Sequence, residues 1–303
     1  MMIRPGNLVT LAEMLPVADK NGFAVGSFTA RSLILIKSIL QSAEDKQSPI
    51  IIMVAYNEAI KRGMGIYEFA KEVYDSIKNE GITVPVCLHL DHTMVFDSIK
   101  TAIDAGFTSV MIDASQKSFD ENIEITRQVK EYAGNFGVSV EGELGRILSH
   151  GTDEIIEDTE LYTDPRDAQK FVEKTKVDAL AVSVGTQHGV YNMVKDARID
   201  FDRLRDIKAH VNQSIVLHGG SGIDKTMIKK AIQMEGGGVS KINIATEVEQ
   251  EFLNAVGAVN ILSHTQIMEL PPQLQKSGQS AVYDLVGNKL ENYLLSSGKA
   301  FVR

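Results

Sequence analysis

Three of the seven histidines combine a suitable residue type with positions from which they could bind one metal ion. His92, His188 and His218 each stand at the end of a short apolar segment, and long stretches of chain separate them. A single histidine is more often a structural residue, but three in matching positions favour a shared role. Three imidazoles with one open position are the ligand set of a catalytic zinc ion, because the substrate needs the open position. The sequence therefore predicts one Zn²⁺ bound by these side chains.

Carboxylates occur at the ends of the same kind of segment. Asp91 stands directly before the first of these histidines, Asp113 ends another segment, and Glu141 and Glu143 share one face of a strand by two-residue alternation. Charged carboxylates inside a protein are unfavourable unless they are paired or bound to a metal. His89, on the same face of its strand as Asp91, is predicted to be a buried partner that supports the metal ligands.

Glycines beside two of the histidines offer a site for a small phosphate group. The segments Gly185-Thr-Gln-His-Gly189 and His218-Gly-Gly-Ser-Gly222 both end strands. Glycine there lets backbone N–H groups approach an anion closely. The segment Asn243-Ile-Ala-Thr246 ends a later strand, and the helix that follows has free N–H groups at its start. Because barrels commonly bind phosphate in the loops after strands seven and eight, we expect phosphate binding here.

Eight short strands, each followed by a helix, must position these residues. Several strands are nearly continuous apolar runs, such as Ile50-Ile-Ile-Met-Val54, which is typical of a parallel sheet buried on both faces. Eight such units predict an α/β fold, the (β/α)8 TIM barrel, whose active site lies at the carboxyl ends of the strands. An open doubly wound sheet is the alternative, but its glycine-rich fingerprint is missing after the first strand. The predicted strands are 23–29, 49–55, 84–91, 109–114, 138–145, 179–185, 214–219 and 240–245. The predicted helices are 32–46, 66–80, 95–105, 119–135, 165–176, 200–211, 224–235 and 246–258.

The whole chain, 1–303, is predicted to form one domain. Residues 259–303 form an extra helical segment after the barrel and are a candidate oligomer interface. Within that segment, the polar stretch 271–278 is predicted to be a mobile loop, because it combines two prolines with a glycine and polar residues.

Composition and charge disfavour several kinds of partner. The net charge is −9 and the isoelectric point is near 5.3, with no long basic run, which argues against nucleic acid. No segment has the roughly 18 apolar residues of a membrane span. The single cysteine, Cys87, cannot form a disulfide within the chain, which fits a reducing compartment. We therefore expect a cytoplasmic protein that binds a small molecule.

Six segments, taken in order, resemble the class II, zinc-dependent ketose-bisphosphate aldolases, a family that includes the fructose- and tagatose-bisphosphate aldolases. The resemblance covers most of the chain and implies reversible cleavage of a ketose 1,6-bisphosphate to dihydroxyacetone phosphate and an aldehyde. The matching segments are Leu88-His-Leu-Asp-His92, Met111-Ile-Asp-Ala-Ser115, Val140-Glu-Gly-Glu-Leu-Gly-Arg146, Val184-Gly-Thr-Gln-His-Gly-Val-Tyr191, Val216-Leu-His-Gly-Gly-Ser-Gly222 and Lys241-Ile-Asn-Ile-Ala-Thr246.

The resemblance also implies roles for individual residues. His92, His188 and His218 would bind zinc, and Asp91 would exchange the proton of the substrate's C4 hydroxyl. The residues implied for binding the phosphate of dihydroxyacetone phosphate are Gly189, Gly219, Ser221, Asn243 and Thr246. Those implied as alternative metal ligands, or as partners of the ligands, are Glu143 and Asp113. A bound Na⁺ or K⁺ near the phosphate loops and assembly as a dimer or tetramer are further implications.

Some stretches depart from the family pattern. A second acid–base group, which moves the carbon-bound proton of the three-carbon fragment, would come from the loop after strand five. That loop here reads Leu148-Ser-His-Gly-Thr-Asp-Glu154, so Glu154 is predicted for the role, with Asp153 as the alternative. Gln116 and the stretches 29–32 and 55–58 also differ from the family pattern. These differences indicate that the part of the site that receives the aldehyde is remodelled, and they leave the identity of the ketose substrate open.

Two other functions remain open from the sequence: a zinc hydrolase on the same barrel, and a sugar-phosphate-binding relative without activity. Barrel hydrolases usually carry a His-x-His pair, whereas His89 and His92 are three apart and would face opposite sides of a regular strand. An aldolase that forms a Schiff base would need a lysine at a carboxyl strand end. Lys241 is predicted at the start of strand eight, which argues against that mechanism.

Overall fold

A closed barrel of eight parallel strands forms the centre of the protein in the computed structural model, which describes residues 3–145, 162–186 and 199–302. Each strand pairs with the next along the chain, and the last pairs with the first. The TIM-barrel prediction is therefore confirmed. The strands are β1 Val25–Thr29, β2 Ile50–Ala55, β3 Val86–Thr93, β4 Ser109–Ile112, β5 Ser139–Leu144, β6 Ala179–Val182, β7 Ser214–Leu217 and β8 Val239–Ile244.

Helices surround the barrel, and each of the eight predicted ones is present. None of those within the three described ranges is long and apolar enough to cross a membrane. The helices are α1 Leu11–Lys20, α2 Ile34–Asp45, α3 Tyr56–Lys61, α4 Ile66–Asn79, α5 Phe96–Ala105, α6 Phe119–Gly134, α7 Pro165–Thr175, α8 Phe201–His210, α9 Lys225–Ile232, α10 Thr246–Val256, α11 His264–Glu269 and α12 Pro272–Asn292. Helices α1 and α3 were not predicted.

Helix α1 closes the amino-terminal end of the barrel. It begins with a capping box, in which the Thr10 hydroxyl accepts a hydrogen bond from the backbone N–H of Glu13 and the Glu13 carboxylate accepts one from the N–H of Thr10. Its buried Leu11 and Leu15 join side chains of the barrel interior, such as Val216, in one apolar cluster. Because this end is filled by apolar side chains, polar groups in the barrel interior lie toward the opposite end.

A second and larger apolar cluster lies between the strands and the outer helices. The strands are buried on both faces, as their nearly continuous apolar runs predicted. Burial of this kind holds the strand ends in fixed positions, so side chains at those ends belong to one rigid frame.

The carboxyl-terminal segment packs against the barrel of its own chain. The prediction of a mobile loop at 271–278 is wrong, because α12 begins at Pro272 and continues through these residues. Proline is well tolerated in the first turn of a helix, where its missing N–H would have no helical partner. The helix packs on α2 and α10. At its end, the Tyr293 hydroxyl donates to the carbonyl of Gly220, and the Lys289 ammonium lies 2.7 Å from the Glu247 carboxylate.

Substitution of Gly278 by Ala should destabilise the protein by about 1–3 kcal/mol, because overpacking of a filled contact is unfavourable. A Cβ atom at this position would lie 2.3 Å from the Phe252 ring, which belongs to α10. The measurement is the free energy of unfolding in urea. Gly134→Ala is the matched control, because a Cβ at that helical position meets nothing within 4 Å. Equal stability of the two variants would show that α12 is not packed as described.

Candidate active site

A polar cavity of about 140 Å³ opens at the carboxyl ends of β1, β2, β3 and β8. This is the end of the barrel at which TIM-barrel enzymes carry their active sites. The cavity brings together residues from distant parts of the chain, several of them predicted from the sequence. Its lining residues are Thr29, Arg31, Met53, Ala55, Glu58, Asp91, His92, Gly219, Ser221, Asn243, Ala245 and Thr246.

Two of the three predicted metal ligands lie side by side beneath this cavity. The imidazole rings of His92 and His218 have centroids 4.6 Å apart and meet edge to face at 72°. Each offers a nitrogen, and Asp91 an oxygen, within 4.8 Å of the others. A second set of residues, whose ligand atoms also lie within 4.8 Å of one another, contains His92, Asp113 and Glu143. The third predicted ligand, His188, lies outside the described residues.

An irregularity near the end of β3 directs His92 toward this site. The pairing of β3 with β4 shifts register between Leu90 and Thr93, and His92 has a left-handed φ of +31°. Such a conformation is unfavourable for a residue other than glycine and is found mainly at functional sites. In a regular strand His92 would face away from the side occupied by His89 and Asp91. Because β3 is irregular here, the opposite facing expected of His89 and His92 in a regular strand does not apply, and His92 joins Asp91 and His218 in one cluster.

Asp113, the residue directly after β4, holds the ring of His92. The His92 Nδ1 atom is 3.1 Å from Asp113 Oδ2, and the other carboxylate oxygen accepts hydrogen bonds from the backbone N–H and the hydroxyl of Ser115. Burial alone would raise the pKa of Asp113, but His92 and these hydrogen bonds lower it to about 2. The carboxylate therefore stays ionised and fixes one nitrogen of the imidazole.

His218 is bonded to a network of buried charged side chains in the barrel interior. Its Nε2 atom is 2.9 Å from Glu141 Oε1, and its Nδ1 atom is 3.3 Å from Glu143 Oε2. The other Glu141 oxygen is 2.7 Å from the Lys241 ammonium. Burial raises the pKa of Glu141, but the charge of Lys241 and the hydrogen bond with His218 outweigh it and lower that pKa to about 2. Burial lowers the pKa of His218, but its bonds to the two carboxylates outweigh this and raise it to about 10.

Asp91 points into the cavity between the histidines and β8. Its Oδ1 accepts a hydrogen bond of 3.1 Å from the Asn243 side-chain amide and lies 3.7 Å from His89 Nε2. Burial raises the pKa of Asp91, but the charge of His92 and the nearby His89 ring lower it well below its usual range. The carboxylate is therefore ionised and able to accept a proton from a ligand in the cavity.

The glycine-rich turn after β7 lies beside the start of α10. Gly219 has a φ of +68°, and a Cβ on Gly220 would come within 2.8 Å of the Asn243 carbonyl oxygen, so both positions favour glycine. Ser221 and Thr246 line the same side of the cavity. Four of the five predicted phosphate-binding residues therefore meet here, while Gly189 lies outside the described residues.

A ring of four charged side chains lies beside the cavity. The Arg31 guanidinium ion-pairs with Glu58 at 2.8 Å and also with Glu249, and Arg62 lies 3.2 Å from Glu58 and 2.7 Å from Glu249. Arg31 and Glu58 line the cavity, and they belong to the two stretches that departed from the expected sequence pattern. Two cations and two anions alternate in this ring, which fixes the position of each charge.

The comparisons with known proteins agree with this geometry. The family model for class-II fructose-bisphosphate aldolase matches residues 9–299. A fructose-bisphosphate aldolase of Staphylococcus epidermidis is 38% identical over 287 residues, which are 94% of this chain and 97% of that protein. One from Geobacillus stearothermophilus is 38% identical over 295 residues, 97% of this chain and 99% of that one. The crystal structure of the YdjI aldolase from Escherichia coli K12 superposes with a TM-score of 0.80 at 29% identity, covering 97% and 99% of the two chains.

The chain belongs to the class-II fructose-bisphosphate aldolase family. It is therefore an aldolase, a lyase that acts on carbon–carbon bonds. From the sequence we predicted the barrel and six of the twelve residues that line its cavity, but not the ionic ring of Arg31, Glu58, Arg62 and Glu249. The predicted acid–base residue Glu154 and its alternative Asp153 lie outside the described residues.

The position of Lys241 in this aldolase differs from the predicted one. Lys241 is not at the outer start of β8, which begins at Val239; its ammonium is fully buried inside the barrel next to Glu141. His89 is fully buried as predicted, with Nδ1 2.8 Å from the Ser109 hydroxyl. Of the histidines outside the site, His264 is half-buried with Nδ1 2.8 Å from the Ser32 hydroxyl, and His210 is exposed.

Zinc binding to the metal-free protein should release protons at neutral pH. The raised pKa of His218, about 10, means that the metal-free ring carries a proton at pH 7. A coordinating imidazole must be neutral, so apparent affinity for Zn²⁺ should increase as the pH rises from about 6 to 9. Titration calorimetry in two buffers of different ionisation enthalpy measures the proton release. An affinity that does not change over this pH range would contradict the ionic environment described for His218.

Proposed function

We propose that this aldolase is zinc-dependent and reversibly cleaves a ketose 1,6-bisphosphate, of the fructose or tagatose type, to dihydroxyacetone phosphate and an aldehyde. One observation carries the proposal. Metal-binding nitrogen and oxygen atoms of Asp91, His92 and His218 lie within 4.8 Å of one another, next to a glycine-rich turn suited to a phosphate. Family membership and the names of the relatives support the same activity.

The donor atoms fit a zinc ion. Imidazole nitrogen and carboxylate oxygen are both common zinc ligands, and catalytic sites use three protein ligands with one position open. We assign these ligands to His92, His188 and His218, with Glu143 as an alternative ligand and Asp113 and His89 as the groups that orient the rings. A bound zinc ion acts as a Lewis acid and draws onto oxygen the negative charge that cleavage leaves on the three-carbon half.

In the cleavage direction, Asp91 accepts the proton of the C4 hydroxyl. The C3–C4 bond then breaks, C4 becomes the aldehyde carbon, and the electron pair of the bond stays on the dihydroxyacetone phosphate half. Proton transfer of this kind contributes about 10²–10⁴-fold to a rate. The Asn243 amide, which donates to Oδ1, keeps the Asp91 carboxylate aimed at the substrate. Glu154, or Asp153 in its place, returns a proton to C3.

The phosphate of the three-carbon half is assigned to the turn after β7 and the start of α10. Backbone N–H groups at Gly219, the hydroxyls of Ser221 and Thr246, and the Asn243 amide provide donors there, and Gly189 completes the set. A phosphate bound there, away from the reacting carbons, orients the substrate, which lowers the entropic barrier to reaction.

The aldehyde half is assigned to the wall that carries Arg31 and Glu58. Both charges are fixed by the ionic ring, so they can select among the hydroxyl configurations and end groups of the aldehyde. The names of the 38% identical relatives make fructose 1,6-bisphosphate the first substrate to test. A monovalent cation, Na⁺ or K⁺, near the phosphate, a single domain over 1–303, a dimer or tetramer, and a cytoplasmic location complete the proposal.

The expected activity is release of dihydroxyacetone phosphate from fructose or tagatose 1,6-bisphosphate, followed through a coupled dehydrogenase. A chelator should abolish the activity and added Zn²⁺ should restore it. His218→Ala and His188→Ala should each lose zinc and turnover together, because each removes a proposed ligand. His210→Ala is the matched control, since this ring lies on the exposed surface of α8 and its Nδ1 bonds the Asp206 carbonyl of the same helix.

Other outcomes would contradict the proposal in distinguishable ways. Phosphate or another hydrolysis product without dihydroxyacetone phosphate would indicate a metal hydrolase. Tight binding of the bisphosphates without turnover in the zinc-loaded protein would indicate a binding protein. A covalent adduct after borohydride treatment with substrate would indicate a lysine Schiff base in place of the metal.

A further inference from the structure

Lys241 is a charged side chain that the proposed chemistry does not use. It is the third residue of β8, its exposed fraction is 0%, and it is not among the residues that line the cavity. Removing an ammonium group from water is strongly unfavourable unless it is paired and hydrogen-bonded. A lysine at such a position therefore has to be explained by what it contacts.

The contacts of the Lys241 ammonium lead directly to a proposed metal ligand. Its Nζ is 2.7 Å from Glu141 Oε2 and 3.5 Å from His89 Nε2. The second oxygen of the same carboxylate, Oε1, is 2.9 Å from His218 Nε2. Glu141 is itself fully buried, so its carboxylate is held between one cation and one imidazole.

This arrangement decides which nitrogen of His218 can bind an ion. Each ring nitrogen faces a carboxylate, Nε2 that of Glu141 and Nδ1 that of Glu143, which is itself a proposed alternative ligand. An ion bound on the Glu143 side takes the lone pair of Nδ1, and the hydrogen of the neutral ring is then on Nε2, where the ionised Glu141 accepts it. Partners of this kind orient metal-binding histidines and increase their basicity.

We propose that Lys241 is a positioning residue for the metal site: by pairing with Glu141 it fixes the orientation and the tautomer of His218, so that Nδ1 is presented to the ion. The inference rests on the proposed zinc site but not on the identity of the substrate. Lys241 touches neither the cavity nor a reacting atom, and its contribution is to how tightly, and in what geometry, the ion is held.

The ion pair is connected to the rest of the site through His89. The His89 ring lies between the network and the proposed base, with Nε2 3.6 Å from Glu141 Oε2 and 3.7 Å from Asp91 Oδ1. Its other nitrogen, Nδ1, is 2.8 Å from the Ser109 hydroxyl, which fixes the plane of the ring. The Lys241 ammonium therefore contacts Glu141 and His89, and it is connected to Asp91 only through the His89 ring.

The test is the zinc affinity of Lys241→Met, measured by competition with a chromophoric chelator. We expect affinity to fall about 10–100-fold, the usual effect of losing a partner of a metal ligand. The absorption spectrum of the Co²⁺-loaded protein should also change, because a reoriented His218 alters the ligand geometry. Cleavage activity should recover at saturating zinc, since no group that touches the substrate is changed.

Lys130→Met is the matched control. Lys130 also forms a lysine–carboxylate pair beside β5, 2.5 Å from Asp178, whose carboxylate accepts from the backbone N–H of Val140. Removing that pair should leave zinc affinity and the Co²⁺ spectrum unchanged. If Lys241→Met does not fold, the double variant Lys241→Met/Glu141→Gln decides, because it removes both charges and leaves no unpaired ion in the barrel interior.

Each result separates this inference from the proposed activity. Native zinc affinity and a native Co²⁺ spectrum in Lys241→Met, or in the double variant, would overturn the positioning role and leave the aldolase proposal standing. Loss of zinc affinity in the variant, with an active native enzyme, supports both. A native protein that binds no zinc would remove the basis of both.

Discussion

Buried negative charge is the constraint on which the arrangement of this barrel depends. Asp91, Glu141 and Glu143 are each at most 7% exposed, and they lie in the interior of a closed parallel barrel. Ionised carboxylates at such positions are stable only when cations or hydrogen-bond donors surround them. Among the described residues, Lys241, the histidine rings and the Asn243 amide perform this task. A divalent cation at the histidines would add the largest compensating charge.

Within the barrel, these charged side chains lie apart from the apolar side chains of the amino-terminal end. Helix α1 and the interior side chains around it fill the amino-terminal end. The charged groups lie further along the strands, with Glu141 in the middle of β5 and Asp91 near the end of β3. Three strands that do not pair with one another supply the cluster: β3 the proposed base and one ligand, β5 the two glutamates, and β8 the lysine and the asparagine. The left-handed backbone at His92 is a local strain in this part of the barrel, and the packed strands on either side hold it in place.

Much of this could be predicted from the sequence because it depends on local patterns. Apolar runs such as 50–54 predicted the strands, and polar residues after them predicted the site. Lys241 was misplaced, although the same alternation that directs Asn243 inward would have put it in the barrel interior. The helix at 11–20 was also missed, despite a Thr-Leu-Ala-Glu capping box at its start. By contrast, the turn of His92 into the site depends on the pairing of β3 with β4, and the ionic ring depends on contacts between residues up to 218 positions apart. No local pattern encodes either of these.

X-ray absorption at the zinc edge, on protein loaded with one equivalent of zinc, shows whether His92, His188 and His218 share one ion. The expected result is nitrogen and oxygen neighbours at about 2.0–2.1 Å with the outer-shell scattering of three imidazole rings. Zinc bound only by oxygen, without imidazole scattering, would contradict it and show that the histidines at the barrel end do not share an ion.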